Sequence, residues 1–270
     1  MSKRLIFPVI GTLAVLSLSP LVGAQQVLPW NNSGLAQSPN QPTAPAGPAP
    51  RRDLTGIWDA GGAGIGARGY PTAPLTPWGE ALGKTHKAGD GIRMVPVEQI
   101  NDPLSTMGDP EGFPRNLLFE LRPFQVVQTP KSVLMLYMFE KRWRTIWTDG
   151  RQLPKDPDPR WYGYSVGRWV DDYTLIVNTV GTDERTWLDN SGNPHSSELK
   201  VEERYHRVNH DLMELTVTVD DPKAYTRSWT PRSKMRLTLA PANFDMMEMI
   251  CSPTEVMDFR KNISDRTNNK

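Results

Sequence analysis

The chain has 270 residues and a single cysteine, Cys251. No internal disulfide can therefore form, and stability must come from packing. Leu, Met and Ile around it predict a buried, apolar thiol with a raised pKa rather than a nucleophile. Charge of one sign is also missing: 31 Lys and Arg against 30 Asp and Glu leave a net charge of +1. Such a balance offers no field to gather nucleic acid or an anionic membrane, so neither is an expected partner. No apolar run reaches the roughly 20 residues of a membrane span. The Gly-rich stretch AGGAGIGARG has no Lys-Ser/Thr ending, which excludes a phosphate-binding P-loop.

The start of the chain does carry a secretory pattern. Lys3 and Arg4 give a charged start, Leu5 to Leu18 an apolar run, and Val22-Gly23-Ala24 a small-residue cleavage site. This predicts a signal peptide over 1–24, a mature chain beginning near Gln25, and a periplasmic or secreted destination. No cysteine follows the site to take a lipid. Residues 25–52, crowded with Pro, Ala, Gln and Asn, read as a flexible leader that cannot bury enough apolar surface to fold. Residues 53–270 then form one domain.

Within that domain DLTGIWD, 53–59, has the content of a first strand. Thr76-Pro77 opens a short helix through about His86, with Thr76 as N-cap, Pro77 at the first helical position and Glu80 favouring the positive end. The Pro- and Gly-rich NDPLSTMGDPEGFPR, 101–115, reads as an irregular loop before a short helical or extended piece at 116–121. From Phe124 onward eight strand-like runs follow: 124–129, 133–139, 143–148, 162–169, 174–180, 198–208, 212–219 and 235–240. Turn residues at Thr129 to Ser132, Asp171-Asp172 and Asn209 to Asp211 join them as hairpins. The expectation is a mainly β fold: an antiparallel up-and-down eight-stranded, lipocalin-like barrel preceded by one or two short helices, with a β-sandwich as the alternative. Such a barrel fills its interior or holds one small ligand.

Reactive side chains concentrate between Asp183 and Arg207. Strand alternation puts Glu203 and Tyr205 on one face with Leu199 and Val201, and Lys200, Arg204 and His206 on the other. A carboxylate turned inward either pairs with an arginine as a structural group or shifts its pKa toward that of a general acid or base. His195 lies in a Gly/Asn/Pro turn downstream of Asp183, Glu184, Arg185, Trp187 and Asp189, and either caps that turn or serves proton transfer. Ser196 beside it lies in no nucleophile elbow. His195, His206 and His210 are close in sequence, but strand parity argues against their convergence, so no metal and no other cofactor is expected. Trp143 and Trp147 share a face, and with Tyr164 they are either core aromatics or the wall of an apolar pocket.

The motifs DLTGIWD, PLTPWGEA, NDP…GFPR, FQVVQTP, IWTDGRQLPKDPDPRWYGYSVGRW and TWLDNSGNPHSSELKVEERY…DDPKAYTRSW stand in that order. Together they resemble a large, mostly uncharacterised family of secreted bacterial proteins, over Asp53 to about Trp229. The resemblance implies an exported, lipocalin-like barrel and no particular activity. Members commonly carry histidine where this chain has Tyr164, so any role of that histidine is lost or passed to the tyrosine. Many also carry a cysteine where this chain has Met107, which would leave Cys251 without a disulfide partner.

The leading expectation is a barrel that binds a small, partly apolar or aromatic molecule, with Trp187, Tyr205, Asp183, Glu184, Trp143, Trp147 and Tyr164 lining the site. A second is a cofactor-free acid–base enzyme, a lyase, isomerase or hydrolase, with Glu203 or His195 as base and Arg185 or Arg204 steadying negative charge. A third is a cell-envelope structural or partner-binding module.

Overall fold

The computed structural model describes residues 46–64, 72–241, 243–250, 252–259 and 261–262. The expected signal peptide, most of the leader and Cys251 lie outside them. Nine strands close one barrel: β1 (Gly56–Asp59), β2 (Phe124–Gln128), β3 (Ser132–Tyr137), β4 (Trp143–Trp147), β5 (Tyr164–Trp169), β6 (Thr174–Val180), β7 (Lys200–Arg207), β8 (Leu212–Asp220) and β9 (Trp229–Leu239). Neighbours in sequence are neighbours in the wall, and β9 returns to β1.

Two features differ from the expected eight-stranded antiparallel barrel. The first is that DLTGIWD belongs to the wall: Trp58 pairs with Phe124 on one side and with Leu239 on the other. Without β1, the edges of β2 and β9 would each present unpaired backbone groups, and four residues close both. The second is that β4 and β5 run parallel, through Ile146 with Ser165 and Trp147 with Val166. Residues 148–163, with Asp149-Gly150 and three prolines, are too long for a hairpin and too rigid to fold back on β4. They cross to the far end instead, where the Arg160 amide bonds the Gly181 carbonyl at 3.0 Å. The closed wall excludes the sandwich.

Local chemistry explains the remaining joints. Thr129 Oγ1 accepts the Ser132 amide at 3.0 Å, Asp171 accepts the Tyr173 amide at 2.7 Å, and Asn209 accepts the Asp211 amide at 2.9 Å, closing the three expected hairpins. Helix α1 (Pro77–Gly83) starts as read, with Thr76 Oγ1 accepting the Gly79 amide at 3.1 Å, and stops three residues before His86. Two further short helices, α2 (Pro103–Met107) and α3 (Arg115–Leu118), lie in the same long connection, and α4 (Pro253–Phe259) packs against α2. Among the described residues no helix is long and apolar enough to cross a membrane.

Strand direction makes the two ends of the barrel unlike. One end holds the tight turns after β2, β5 and β7, and residues 46–52 lie over it: the His210 amide bonds the Gly47 carbonyl at 2.9 Å and Arg51 reaches Asp172 at 2.7 Å. The opposite end carries the connections 60–123, 138–142, 181–199 and 221–228, and the crossover 148–163 arrives there. Between the ends, Trp58, Phe124, Val126, Met135, Val177 and Leu215 fill the interior. Trp58 is fully enclosed, with its indole N–H on the Leu54 carbonyl at 2.8 Å and the Arg207 guanidinium 4.5 Å from its ring. Trp58→Ala is expected to lower stability by about 3–5 kcal/mol and Tm by about 10 °C in a thermal melt. A loss below about 1 kcal/mol would show that β1 does not hold the barrel closed.

Candidate functional site

Glu203 lies inside the barrel with no exposed surface, as the parity of β7 requires. Its partner is Arg144, three strands away along the wall. Arg144 Nη1 donates to Glu203 Oε1 at 3.2 Å, Nη2 donates to Oε2, and the Tyr205 hydroxyl donates to Oε1 at 2.6 Å. Burial alone would lower the Arg144 pKa, but the Glu203 carboxylate, together with Tyr137 and Tyr205, outweighs it and holds the guanidinium charged. Burial and the same carboxylate push the Tyr205 phenol well up, so it stays a donor. Of the two readings open for Glu203, the geometry matches the paired, structural one.

Because Arg144 and Ile146 point inward, Trp143 and Trp147 point outward. Trp143 is 66% exposed, and the Arg151 guanidinium covers the Trp147 ring at 3.6 Å. These two residues therefore do not line the interior: one strand cannot show successive residues to the same side, and the lumen holds the cation that neutralises Glu203. Tyr164 is likewise outside the lumen, half-buried under Arg160 at 3.9 Å, while Ser165 faces in.

A second set of polar groups caps the barrel at the loop-bearing end. Phe113 lies against the Arg144 guanidinium, 4.2 Å from its carbon to the ring centre, and α3 follows with Asn116 only 3% exposed. Tyr137, at the end of β3, stacks on Tyr162 with 6.4 Å between centroids. In the β3–β4 turn, Glu140 and Lys141 take left-handed backbone angles, φ 59° and 50°, rare for residues with side chains. That conformation costs roughly 1–3 kcal/mol per residue. It turns the Glu140 carboxyl inward, where Oε2 accepts the Glu111 amide at 2.8 Å and the Tyr162 hydroxyl at 3.3 Å.

This cap is rich in buried polar atoms without a well-formed hydrogen bond: Glu111 Oε1, Glu140 Oε1, both amide atoms of Asn116, the Tyr137 hydroxyl and Arg144 Nε. Asn116 and Arg144 lie close enough to Tyr137 to act on its phenol. Leaving such groups unpaired costs about 1–3 kcal/mol each, so buried polar atoms are normally partnered. Burial drives the Glu111 carboxyl well above the usual carboxylate range; Arg115 opposes the shift, and Glu140, Glu120 and Asp102 add to it. Burial also raises Glu140, against the pull of the Glu111 amide and Arg142.

The loop residues expected near Glu203 form a separate layer. Arg115 donates two bonds to Asp102, at 2.8 and 2.6 Å, and Asp102 also caps α2 through the Leu104 amide. Trp187 is buried and stacks on His86 at 4.6 Å. His195 is buried too, with Nε2 2.9 Å from the Thr186 hydroxyl and Nδ1 3.3 Å from the Ser196 carbonyl. Burial lowers its pKa and keeps it neutral, and its charged neighbours are Asp221 and Glu184, not Glu203. Ser196 gives its hydroxyl and amide to Asp221 at 2.7 and 2.6 Å. Arg185 is exposed, held to Asp183 at 2.6 Å and lying over Trp161 at 4.3 Å. Glu184 accepts the Ser197 amide at 2.6 Å, and Arg204 faces solvent. Glu203, His195 and Arg185 thus have three distinct sets of partners.

His206 bonds Thr174 on the outer wall, and His210 bonds Asp211 in a turn. Among the described residues no group of three or more His, Cys, Asp and Glu side chains is placed to hold a metal ion. Sequence reasoning missed Glu111, Asn116, Tyr137, Glu140 and Arg144. One signal was present: NDPLSTMGDPEGFPR places four charged groups in a Pro/Gly loop directly before an apolar helix. Comparison of the chain with protein-family models, with curated proteins and with solved structures finds no match.

Two outcomes follow from this chemistry. Arg144→Met leaves Glu203 buried and unpaired, and is expected to cost about 3–5 kcal/mol in denaturant unfolding, whereas the double variant R144M/E203L recovers more than half of that loss. Equal losses in the two would contradict a pair held by mutual neutralisation. Glu111 keeps its proton in the fold to a higher pH than in the unfolded chain. Its contribution is therefore most favourable at acid pH, declines as pH rises from the unfolded pKa through the raised folded pKa, and is flat above it. Melts of Glu111→Gln across pH should show that decline removed; an unchanged slope would mean that Glu111 is ionised in the fold.

Proposed function

We propose that this protein is an exported, lipocalin-like barrel that binds a small, partly apolar molecule at its loop-bearing end. The observation that carries the reading is the concentration of unpartnered buried atoms on Glu111, Asn116, Tyr137, Glu140 and Arg144, bordered by the Phe113 and Tyr162 rings. Small-molecule sites are built in this way, from apolar and aromatic walls with a few convergent polar groups, and the mouths of barrels are a usual place for them. The secretory pattern at the start of the sequence supports export. In this reading the 101–118 segment, with Phe113 and Asn116, is the cover through which the molecule enters.

A cofactor-free acid–base enzyme is the second reading, and a specific observation favours it: Glu111 and Glu140, with their raised pKa values, suit a general acid. Glu203 does not suit that role, since both of its oxygens are engaged by Arg144 and one also by Tyr205.

Native mass spectrometry of the protein purified without denaturation tests the binding reading. An organic adduct that leaves on denaturation is expected, and it should be lost in the N116A/Y137F variant. Adding the recovered compound at about 100 times its Kd should stabilise the protein by about 2.7 kcal/mol and raise Tm by about 5–10 °C. A bare mass, with no Tm rise across a library of small organic molecules, would overturn the proposal.

A further inference from the structure

The charge balance at the loop-bearing end identifies the chemistry of the ligand. The cap sets the buried carboxyls of Asp102, Glu111 and Glu140 above Glu203 with two buried arginines, and the charge of each arginine is matched by a carboxylate of its own: Arg144 gives two bonds to Glu203 and Arg115 gives two to Asp102, while the Nε of each lacks a well-formed bond. Glu111 and Glu140 remain, joined by the Glu111 amide on Glu140 Oε2, each with its Oε1 buried and without a partner. Arg142 acts on Glu140 only from the exposed side, and Glu120 is already paired with Arg122 at 2.6 Å.

The unpartnered groups form a connected set. The Tyr162 hydroxyl bonds Glu140, the Tyr162 ring stacks on Tyr137, and the Tyr137 hydroxyl lies beside the Asn116 amide with no well-formed hydrogen bond on either. Tyr137 and Asn116 are each more than nine-tenths buried. The left-handed backbone at Glu140 and Lys141 turns one of the two carboxyls into this set.

We propose that the molecule bound here is a small organic cation, a protonated amine on an apolar or aromatic body, whose N–H groups are taken by the carboxyl oxygens of Glu111 and Glu140. This rests on the small-molecule reading above and names the ligand class. An anionic ligand would set its charge beside two carboxyls whose own ionisation burial already disfavours, and a neutral one would give them no cation against which to ionise. An ammonium group supplies the missing charge and up to three N–H donors at once. The neighbouring tyrosine rings present faces that attract a cation and bury its apolar body. Because a buried carboxyl must ionise to receive the ammonium, binding releases a proton from Glu111 or Glu140 to the buffer.

Matched amines, alcohols and carboxylates on benzyl, phenylethyl and naphthylmethyl bodies, titrated calorimetrically into the full mature chain near neutral pH, test this. Two buffers of different ionisation enthalpy read the proton. The amine of at least one body should bind about tenfold or more tighter than its alcohol and carboxylate, with proton release. Glu111→Gln and Glu140→Gln, each checked by its melt to be folded, should lose about tenfold in amine affinity, and the released proton should shrink. Equal binding of an alcohol or carboxylate, or amine binding unaffected by both variants, would overturn the amine assignment and leave the small-molecule reading standing. Binding of none of the probes to the native protein would overturn both.

Discussion

The Glu203–Arg144 pair is the constraint around which the barrel is arranged. A carboxylate and a guanidinium inside a closed wall each cost several kcal/mol to desolvate, and only close, multiple contact between them offsets that. Glu203 stands on β7 and Arg144 on β4, so the contact ties two strands that are not neighbours in the wall. A slip of either strand by one residue would turn its charge to solvent and leave the other buried alone. The pair thereby fixes the register of β4, a short strand with only two residues paired to β5. The outward placement of Trp143 and Trp147 is a consequence of the same requirement.

The parallel β4–β5 pair determines where chemistry can gather. An all-hairpin barrel with alternating strands would divide its connections between both ends. Crossing back along residues 148–163 resets the alternation, so that from β5 onward the short turns fall at one end and the long connections at the other. The 101–118 segment, the strained β3–β4 turn and the 181–199 loop are brought together over one mouth by this single crossover. The cap adheres through few directional contacts, among them the Glu111 amide on Glu140, the Phe113 amide on the Trp161 carbonyl at 2.9 Å, and Arg232 on the Leu118 carbonyl at 2.7 Å.

What the sequence made legible was local. The alternation of β7, the three hairpin turns and the Thr76 cap are each decided by residues within a few positions of one another, and all are found as read. The inward orientation of Glu203 belongs with them, since apolar neighbours at even spacing reveal it. Its partner was not legible, because 59 residues separate Arg144 from Glu203 and any of several arginines matched the pattern. The same reason hid the closing role of β1, whose two partners lie near opposite ends of the domain. His195 misled for a related cause. Its crowd of acidic neighbours in sequence serves to build the loop, with Asp183 taken by Arg185, Glu184 by the Ser197 amide, and Asp189 by the Ser191 and Asn193 amides.

Two arginines on the inner wall separate structural necessity from readiness to bind. At the end of the tight turns Arg207 has every guanidinium nitrogen engaged: Nε with the Asn209 carbonyl at 3.0 Å, Nη1 with the Asp53 carbonyl at 3.0 Å and Nη2 with the His210 carbonyl at 2.5 Å. Three backbone carbonyls from two segments converge on it, and the chain closes a buried cation where closure alone is required. At the loop-bearing end Arg144 Nε makes no well-formed bond, and neither do the Asn116 amide and the Tyr137 hydroxyl beside one another. Poor packing would scatter such losses through the interior, yet the barrel between the two ends is filled with apolar side chains. The unpartnered groups instead cluster at the mouth beneath the cap, with Glu140 in a strained turn directed toward them. A free-energy cost concentrated at one loop-covered place is what the proposed binding site would require, because the groups that recognise a ligand cannot also satisfy one another.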